Sequence, residues 1–157
     1  MAILFNSYSR DWSWLSNFHP CGITVSVAGG FGNPISFPSA EHLYQFSKWD
    51  RRGVDQRTLM DTICGLGECD AAMAKRWGRK IKMRPNWEGM KMRLMTQVLR
   101  EKYAQNTDLA DRLRATDDAL LWHLSPWDMF WGGTENRAGL NRLGMLTMAA
   151  RDRLRDQ

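Results

Sequence analysis

The chain has 157 residues, 43% of them hydrophobic and 25% charged. That length carries one sizeable core and predicts a single domain over residues 1–157, and the apolar share argues against disorder. The 22 basic and 17 acidic residues leave a net charge of +5, which suits an anionic partner such as a phosphate, a nucleotide or nucleic acid.

Residues 1–20 show no regular period and carry aromatics at Phe5, Tyr8, Trp12, Trp14 and Phe18. "GITVSV" at 22–27 is rich in β-branched residues and predicts a strand. "AGGFGNP" is a turn, and "ISF" at 35–37 the return strand, which together make a small antiparallel hairpin. "FPSAEHLYQFSKW" at 37–49 reads as a helix started by Pro38 and Ser39. "DQRTLMDTIC" and "CDAAMAKRWGRK" predict two short helices on either side of a break at Gly65–Gly67. "RPNWEGMKMRLMTQVLREKYAQN" is the clearest helix, with Pro85 expected in its first turn and an apolar face of Trp87, Leu94, Met95, Val98 and Leu99. "TDLADRLRAT" follows, with Asn106 or Thr107 as its N-cap. After Leu124, "SPWDMFWGGTENRAG" reads as a loop, and "LNRLGMLTMAARDRL" closes the chain as an amphipathic helix. There is no repeat and no evident linker.

No apolar run approaches the ~20 residues of a membrane span. "MAILFNSYSRDW" has neither a basic start nor an apolar stretch long enough for a signal peptide, so a cytoplasmic protein without membrane contact is expected. Cys21, Cys64 and Cys69 form no CxxC pair, and His19, His42 and His123 match no metal-binding spacing. Neither a disulfide framework nor a metal is expected.

The 37–49 helix raises a chemical question. Glu41 and Gln45 are four residues apart and share one face. Lys48, seven after Glu41, returns to nearly the same side about 10.5 Å further along the axis. Two readings fit. Lys48 snorkels to water while Glu41 answers the helix dipole, or the two grip one small molecule between them. Trp87 and Lys91 repeat the theme on the long helix. Asp128 sits among Trp127, Phe130 and Trp131, where a carboxylate needs donors or a ligand, and Gly132–Gly133 allows close backbone approach. "KRWGRKIKMR" at 75–84 is either a solvated basic face or a phosphate holder, with Arg79 and Arg84 the better bidentate candidates. Eight tryptophans read as core or as walls of a pocket for a flat ring.

Taken in order, "LSNF" at 15–18, "FPSAEHLYQFSK" at 37–48, "GR" at 78–79 and "RPNWEGMK" at 84–91 resemble the NADAR (YbiA-like) family. "KYAQNTDL" at 102–109, "SPWDMFWG" at 125–132 and "GLNRLGMLTMAAR" at 139–151 continue the resemblance. It implies a mainly α (α+β) fold, a compact helical domain with a small antiparallel β-sheet near the N-terminus. It implies hydrolysis of N-glycosidic bonds without a cofactor by a monomer. The substrate would be ADP-ribose on guanine in DNA or RNA, or a ribosylamino-pyrimidine phosphate intermediate of riboflavin synthesis. A non-catalytic ADP-ribose or nucleic-acid binder is the remaining alternative. Carried over by motif, the catalytic residues are Glu41 as acid/base, Lys48 as nucleophile and Asp128 as orienting carboxylate. Trp87, Trp131 and Gly132 would line the site, with Asn17, Phe18, His42 and Gln45 also touching substrate and Arg79 and Arg84 holding phosphates. His123 stands where many members carry Glu, and the 26–36 hairpin is longer than is typical.

Overall fold

The computed structural model describes residues 1–26 and 33–157. Residues 27–32, which hold most of the predicted long turn of the hairpin, lie outside the described residues. The strands are β1 (Ala2–Phe5), β2 (Pro20–Val25), β3 (Ile35–Ser39) and β4 (Leu120–His123). The helices are α1 (Ala40–Lys48), α2 (Gln56–Glu68), α3 (Ala71–Gly78), α4 (Trp87–Gln105), α5 (Thr107–Arg114) and α6 (Arg142–Arg155). They fall into two units, residues 20–105 and residues 1–19 with 106–157. The class is mainly α with small sheets, as the sequence predicts.

In the 20–105 unit, β2 and β3 form the predicted antiparallel pair, with Ile23 opposite Phe37 and Val25 opposite Ile35. Alternation places Cys21 and Ile23 inward. The pair leads directly into α1, which packs on α3 and α4. The predicted break at Gly65–Gly67 is absent, because α2 runs through both glycines to Glu68. Leu66 between them is buried, and anchoring that turn outweighs the weak helix propensity of two exposed glycines. The chain breaks instead at Asp70, whose carboxylate accepts the Met73 amide and caps α3. Pro85 also lies outside the first turn. Asn86 adopts a left-handed backbone (φ 57°) and α4 starts after it. Lys102, on the inward side of α4, is fully buried; burial pushes its ammonium down to about 8.

The other unit holds elements that the sequence did not announce. Within the apparently irregular residues 1–20, β1 pairs in parallel with β4, Ile3 beside Leu121 and Phe5 beside His123. Four-residue strands are too short to display a period, and the partner lies far along the chain. A single 3₁₀ turn, Ser13–Leu15, follows β1 and buries Trp14 and Leu15. Arg112 lies over the Trp14 ring at 4.5 Å. α6 packs on α5 and β4. From it the buried Arg151 donates to the Thr116 hydroxyl (3.0 Å) and the Ala119 carbonyl (2.8 Å).

Asn141 fastens α6 to β4. Its backbone is left-handed (φ 48°), which Asn tolerates better than most residues. Its side chain accepts the His123 amide and donates to the Leu121 carbonyl, both at 2.9 Å. Asn141→Ala is expected to cost about 2–4 kcal/mol in urea unfolding, from two lost buried bonds and added backbone strain. Asn141→Gly relieves the strain alone and should recover only about 1 kcal/mol.

Candidate active site

α1 begins where β3 ends. Ser39 caps it by accepting the His42 amide, and every residue from Glu41 to Phe46 is buried. Polar groups on such a helix must be answered locally. Glu41 and Gln45 are 6% and 5% exposed, and Gln45 Nε2 donates to Glu41 Oε1 at 2.7 Å. α3 packs over this pair because Gly78 has no side chain; a Cβ there would run into the Gln45 amide oxygen. That oxygen, Oε1, is buried without a hydrogen-bond partner.

Lys48 closes the same face. It is half-buried, and that burial, the largest influence, holds its ammonium below the usual lysine range. Glu41 opposes the shift, whereas Arg79 and Lys75 add to it through like-charge repulsion. The structure therefore brings Glu41, Gln45, Lys48 and Arg79 into one electrostatic group. A lysine in this position has a larger neutral fraction near neutral pH than one in water, which is what a nucleophilic amine requires. Trp87 joins from the start of α4, its ring 5.4 Å from Tyr44. Lys91 is held by Glu88 at 2.6 Å.

Two expected ligand contacts have other tasks. His42 engages the Ser39 hydroxyl with Nδ1 (2.7 Å) and the Cys69 carbonyl with Nε2 (2.8 Å). Both ring nitrogens are thereby occupied in tying α1 to the α2–α3 junction, and neither is left for substrate. Arg84 donates to the Ser47 carbonyl at 3.3 Å and lines a cavity with Leu43 and Phe46. Those residues stand on the opposite side of α1 from Glu41 and Lys48. Charge and spacing group Arg84 with Arg79; the course of the chain after α3 separates them.

In the other unit, Asp128, Trp131 and Gly132 share one tight loop. Asp128 Oδ1 accepts the amides of Phe130 (3.2 Å) and Trp131 (3.0 Å). The carboxylate thus has the donors its aromatic setting demands. Trp131 meets Phe130 edge to face at 4.9 Å, while Trp127 is 96% exposed. Gly132 is buried, and a Cβ there would come within 2.5 Å of the His123 carbonyl. His123 stacks on Phe5 at 5.3 Å and sets Nδ1 3.4 Å from the Trp131 carbonyl, so it braces the loop from β4. Asn17 is buried and Phe18 half-buried in the turn after the 3₁₀ segment, where Ser16 Oγ accepts the Phe18 amide.

Lys75, which the sequence places only in a basic run, and Gly78, which it places only in the "GR" motif, both belong to this group. A glycine chosen for the close approach of two helices leaves no mark in a single sequence beyond its presence. Among the described residues no three His, Cys, Asp or Glu side chains gather to hold a metal ion. No helix there is long and apolar enough to cross a membrane.

Two measurements check these assignments. Arg79→Ala should raise the Lys48 pKa and Glu41→Gln should lower it, followed by NMR titration of lysine Cε–Hε signals assigned with Lys48→Arg. The unfolded chain holds the Lys48 proton more tightly than the fold does, so the Lys48 contribution to stability rises with pH, from the lowered folded value up to 10.5. Asp128→Asn retains the accepting oxygen and should leave the melting temperature nearly unchanged. Asp128→Ala releases two amides and should cost about 1–2 kcal/mol. Equal melting temperatures for the two variants would remove the anchoring role.

A family model described as the NADAR domain matches residues 4–155. The chain is 35% identical over 156 residues to a riboflavin biosynthesis protein of Vibrio vulnificus, covering 98% of this chain but 39% of that protein. It is 33% identical over 152 residues to the N-glycosidase YbiA of Shigella flexneri, covering 97% of this chain and 88% of that one. The NMR structure of the E. coli protein YbiA superposes with a TM-score of 0.77 at 32% identity, over 99% of this chain and 85% of that chain.

Proposed function

Because the chain belongs to the NADAR domain family, we propose that it hydrolyses N-glycosidic bonds of ribosylated bases, removing ADP-ribose from guanine in nucleic acid. The observation that carries this reading is the pairing of a depressed Lys48 with a buried Glu41 on one face of α1. A binding module has no use for an amine made less basic beside a buried carboxyl group. The fold shared with an N-glycosidase relative supports the same chemistry.

The steps follow from the two groups. Neutral Lys48 Nζ attacks the anomeric carbon, and the bond to the base nitrogen breaks. The departing nitrogen keeps the electron pair and takes a proton from the Glu41 carboxyl group. The attacking nitrogen, now cationic, returns a proton to the Glu41 carboxylate. The lone pair of the resulting glycosylamine then forms a C=N bond, and the ring oxygen leaves with its electrons and takes that proton from Glu41. Water adds to this Schiff base, the C–N bond breaks, and the free sugar and the lysine amine are returned. Positive charge that builds at the anomeric carbon is stabilised by ionised carboxylate; Asp128 is assigned to orient the ribose by the family motif. Arg79 and Lys75, both cations near Lys48, suit the phosphates of ADP-ribose.

A second reading has its own support. The Vibrio vulnificus relative is named a riboflavin biosynthesis protein, which favours a ribosylamino-pyrimidine phosphate as substrate. Incubation with ADP-ribosylated guanine DNA, and separately with the ribosylamino-pyrimidine phosphate, distinguishes them by which base is released. Release from neither identifies a binder.

Glu41→Gln should lower turnover by about 10²-fold or more with folding intact. Borohydride added during turnover should trap a sugar adduct on Lys48. Lys48→Ala and Lys48→Arg should both be inactive and untrappable, because a guanidinium stays protonated. An active Lys48→Arg enzyme without a trappable adduct would leave Lys48 as a charge only.

A further inference from the structure

On the side of α1 turned away from Glu41 and Lys48 lies a cavity of about 540 Å³. Leu43, Phe46 and Val98 supply apolar walls, and Arg51, Arg84 and Arg100 supply cations. A neighbouring cavity of about 430 Å³ shares Arg51 and Arg84. The mechanism above uses none of these residues.

The guanidiniums are held in place from behind. Arg51 donates through one terminal nitrogen to the Phe46 carbonyl at 2.9 Å and lies over the Phe46 ring at 4.5 Å. Arg84 donates one terminal nitrogen to the Ser47 carbonyl at 3.3 Å. A guanidinium has five N–H donors, so each keeps several for another acceptor. The two are near enough to repel, and burial together with the Arg84 charge makes the Arg51 cation less stable than an ordinary one. The nearby Asp50 carboxylate is already occupied. It takes two bonds from Arg52, at 2.9 and 3.0 Å, and an ion pair from Lys82 at 3.3 Å. Glu101, the one carboxylate on the wall of the larger cavity, accepts from Gln105 at 2.7 Å. Positive charge therefore remains in excess around a hollow whose walls are part apolar and part polar.

We propose that this cavity binds a phosphorylated small molecule of nucleotide type, at a site separate from the Glu41–Lys48 face. The phosphate lies among Arg51, Arg84 and Arg100, and the ring body lies against Leu43, Phe46 and Val98. The volume falls in the range of small-ligand pockets, which combine apolar walls with a few convergent polar groups. Planar guanidiniums match phosphate oxygens bidentately. A depression of this size encloses one nucleotide, whereas a nucleic-acid strand needs an open track with repeated cations.

The test is NMR titration of the ¹⁵N-labelled protein with AMP, inorganic phosphate and adenosine. AMP should shift the Arg51 and Arg84 side-chain Nε–Hε signals saturably, and phosphate and adenosine should each bind at least about tenfold more weakly. Lys48→Ala should leave the AMP affinity unchanged within about twofold. Arg51→Gln should weaken it about tenfold or more. Arg84 also holds the end of α1, so exposed Arg100 provides the variant whose folding is secure. Arg100→Gln should weaken AMP about tenfold with an unchanged urea midpoint. Absence of saturable shifts at millimolar AMP overturns the site, as does loss of AMP binding in Lys48→Ala or an unaltered affinity in Arg100→Gln. Tighter binding of a short oligothymidylate than of AMP at the same arginines overturns the small-molecule assignment in favour of a nucleic-acid backbone.

Discussion

Burial of α1 with a carboxylate and an amide inside it is the constraint around which the 20–105 unit is arranged. The Gln45–Glu41 bond spans one turn of the helix and gives the buried carboxylate a donor that moves with it. That bond requires a neighbour that neither competes for the amide nor pushes it aside. Gly78 meets the requirement by bringing α3 in without a side chain. The close approach also places Lys75 and Arg79 near Lys48. One packing decision thus satisfies a buried acid and lowers the basicity of a lysine.

Charge works here through geometry more than through quantity. A net charge of +5 says little about where an anion would rest. The basic segment after α3 divides its residues between different surroundings. Arg79 adds to the repulsion felt by Lys48. Lys82 joins Arg52 on Asp50. Arg84 turns to the end of α1 beside Arg51. Backbone bonds from Asp50 to Lys82 (2.8 Å) and from Arg84 to Lys48 (3.0 Å) lace the two segments together and fix which cation faces which side.

The aspartate loop follows a similar rule in its own unit. Asp128 has a fold task, the two amides of Phe130 and Trp131, whatever else its second oxygen does. Gly132 and Asn141 hold this loop and the start of α6 tightly to β4. A parallel strand pair between distant segments gives that assembly its base. His123 ties this loop to β4, since its ring stacks on Phe5 and faces the Trp131 carbonyl.

The sequence by itself determined the antiparallel hairpin, most of the helices and the family. Local signals govern these: β-branched runs, capping residues, apolar periodicity, and motif order. It also marked Glu41, Gln45 and Lys48 as one face, because helical spacing is a local property. Tertiary structure alone decided the rest. The β1–β4 ladder needs a partner far along the chain. α2 crosses two glycines because Leu66 is anchored, and anchoring depends on neighbours. His42 has both nitrogens engaged because Cys69 comes back to it. Arg84 and Arg79 part company because the chain turns between them. Lys102 is buried by its surroundings, and Gly78 acquires meaning only when Gln45 lies against it. In each case a nonlocal contact sets the environment, and the environment sets burial, pKa and access, which a local pattern does not carry.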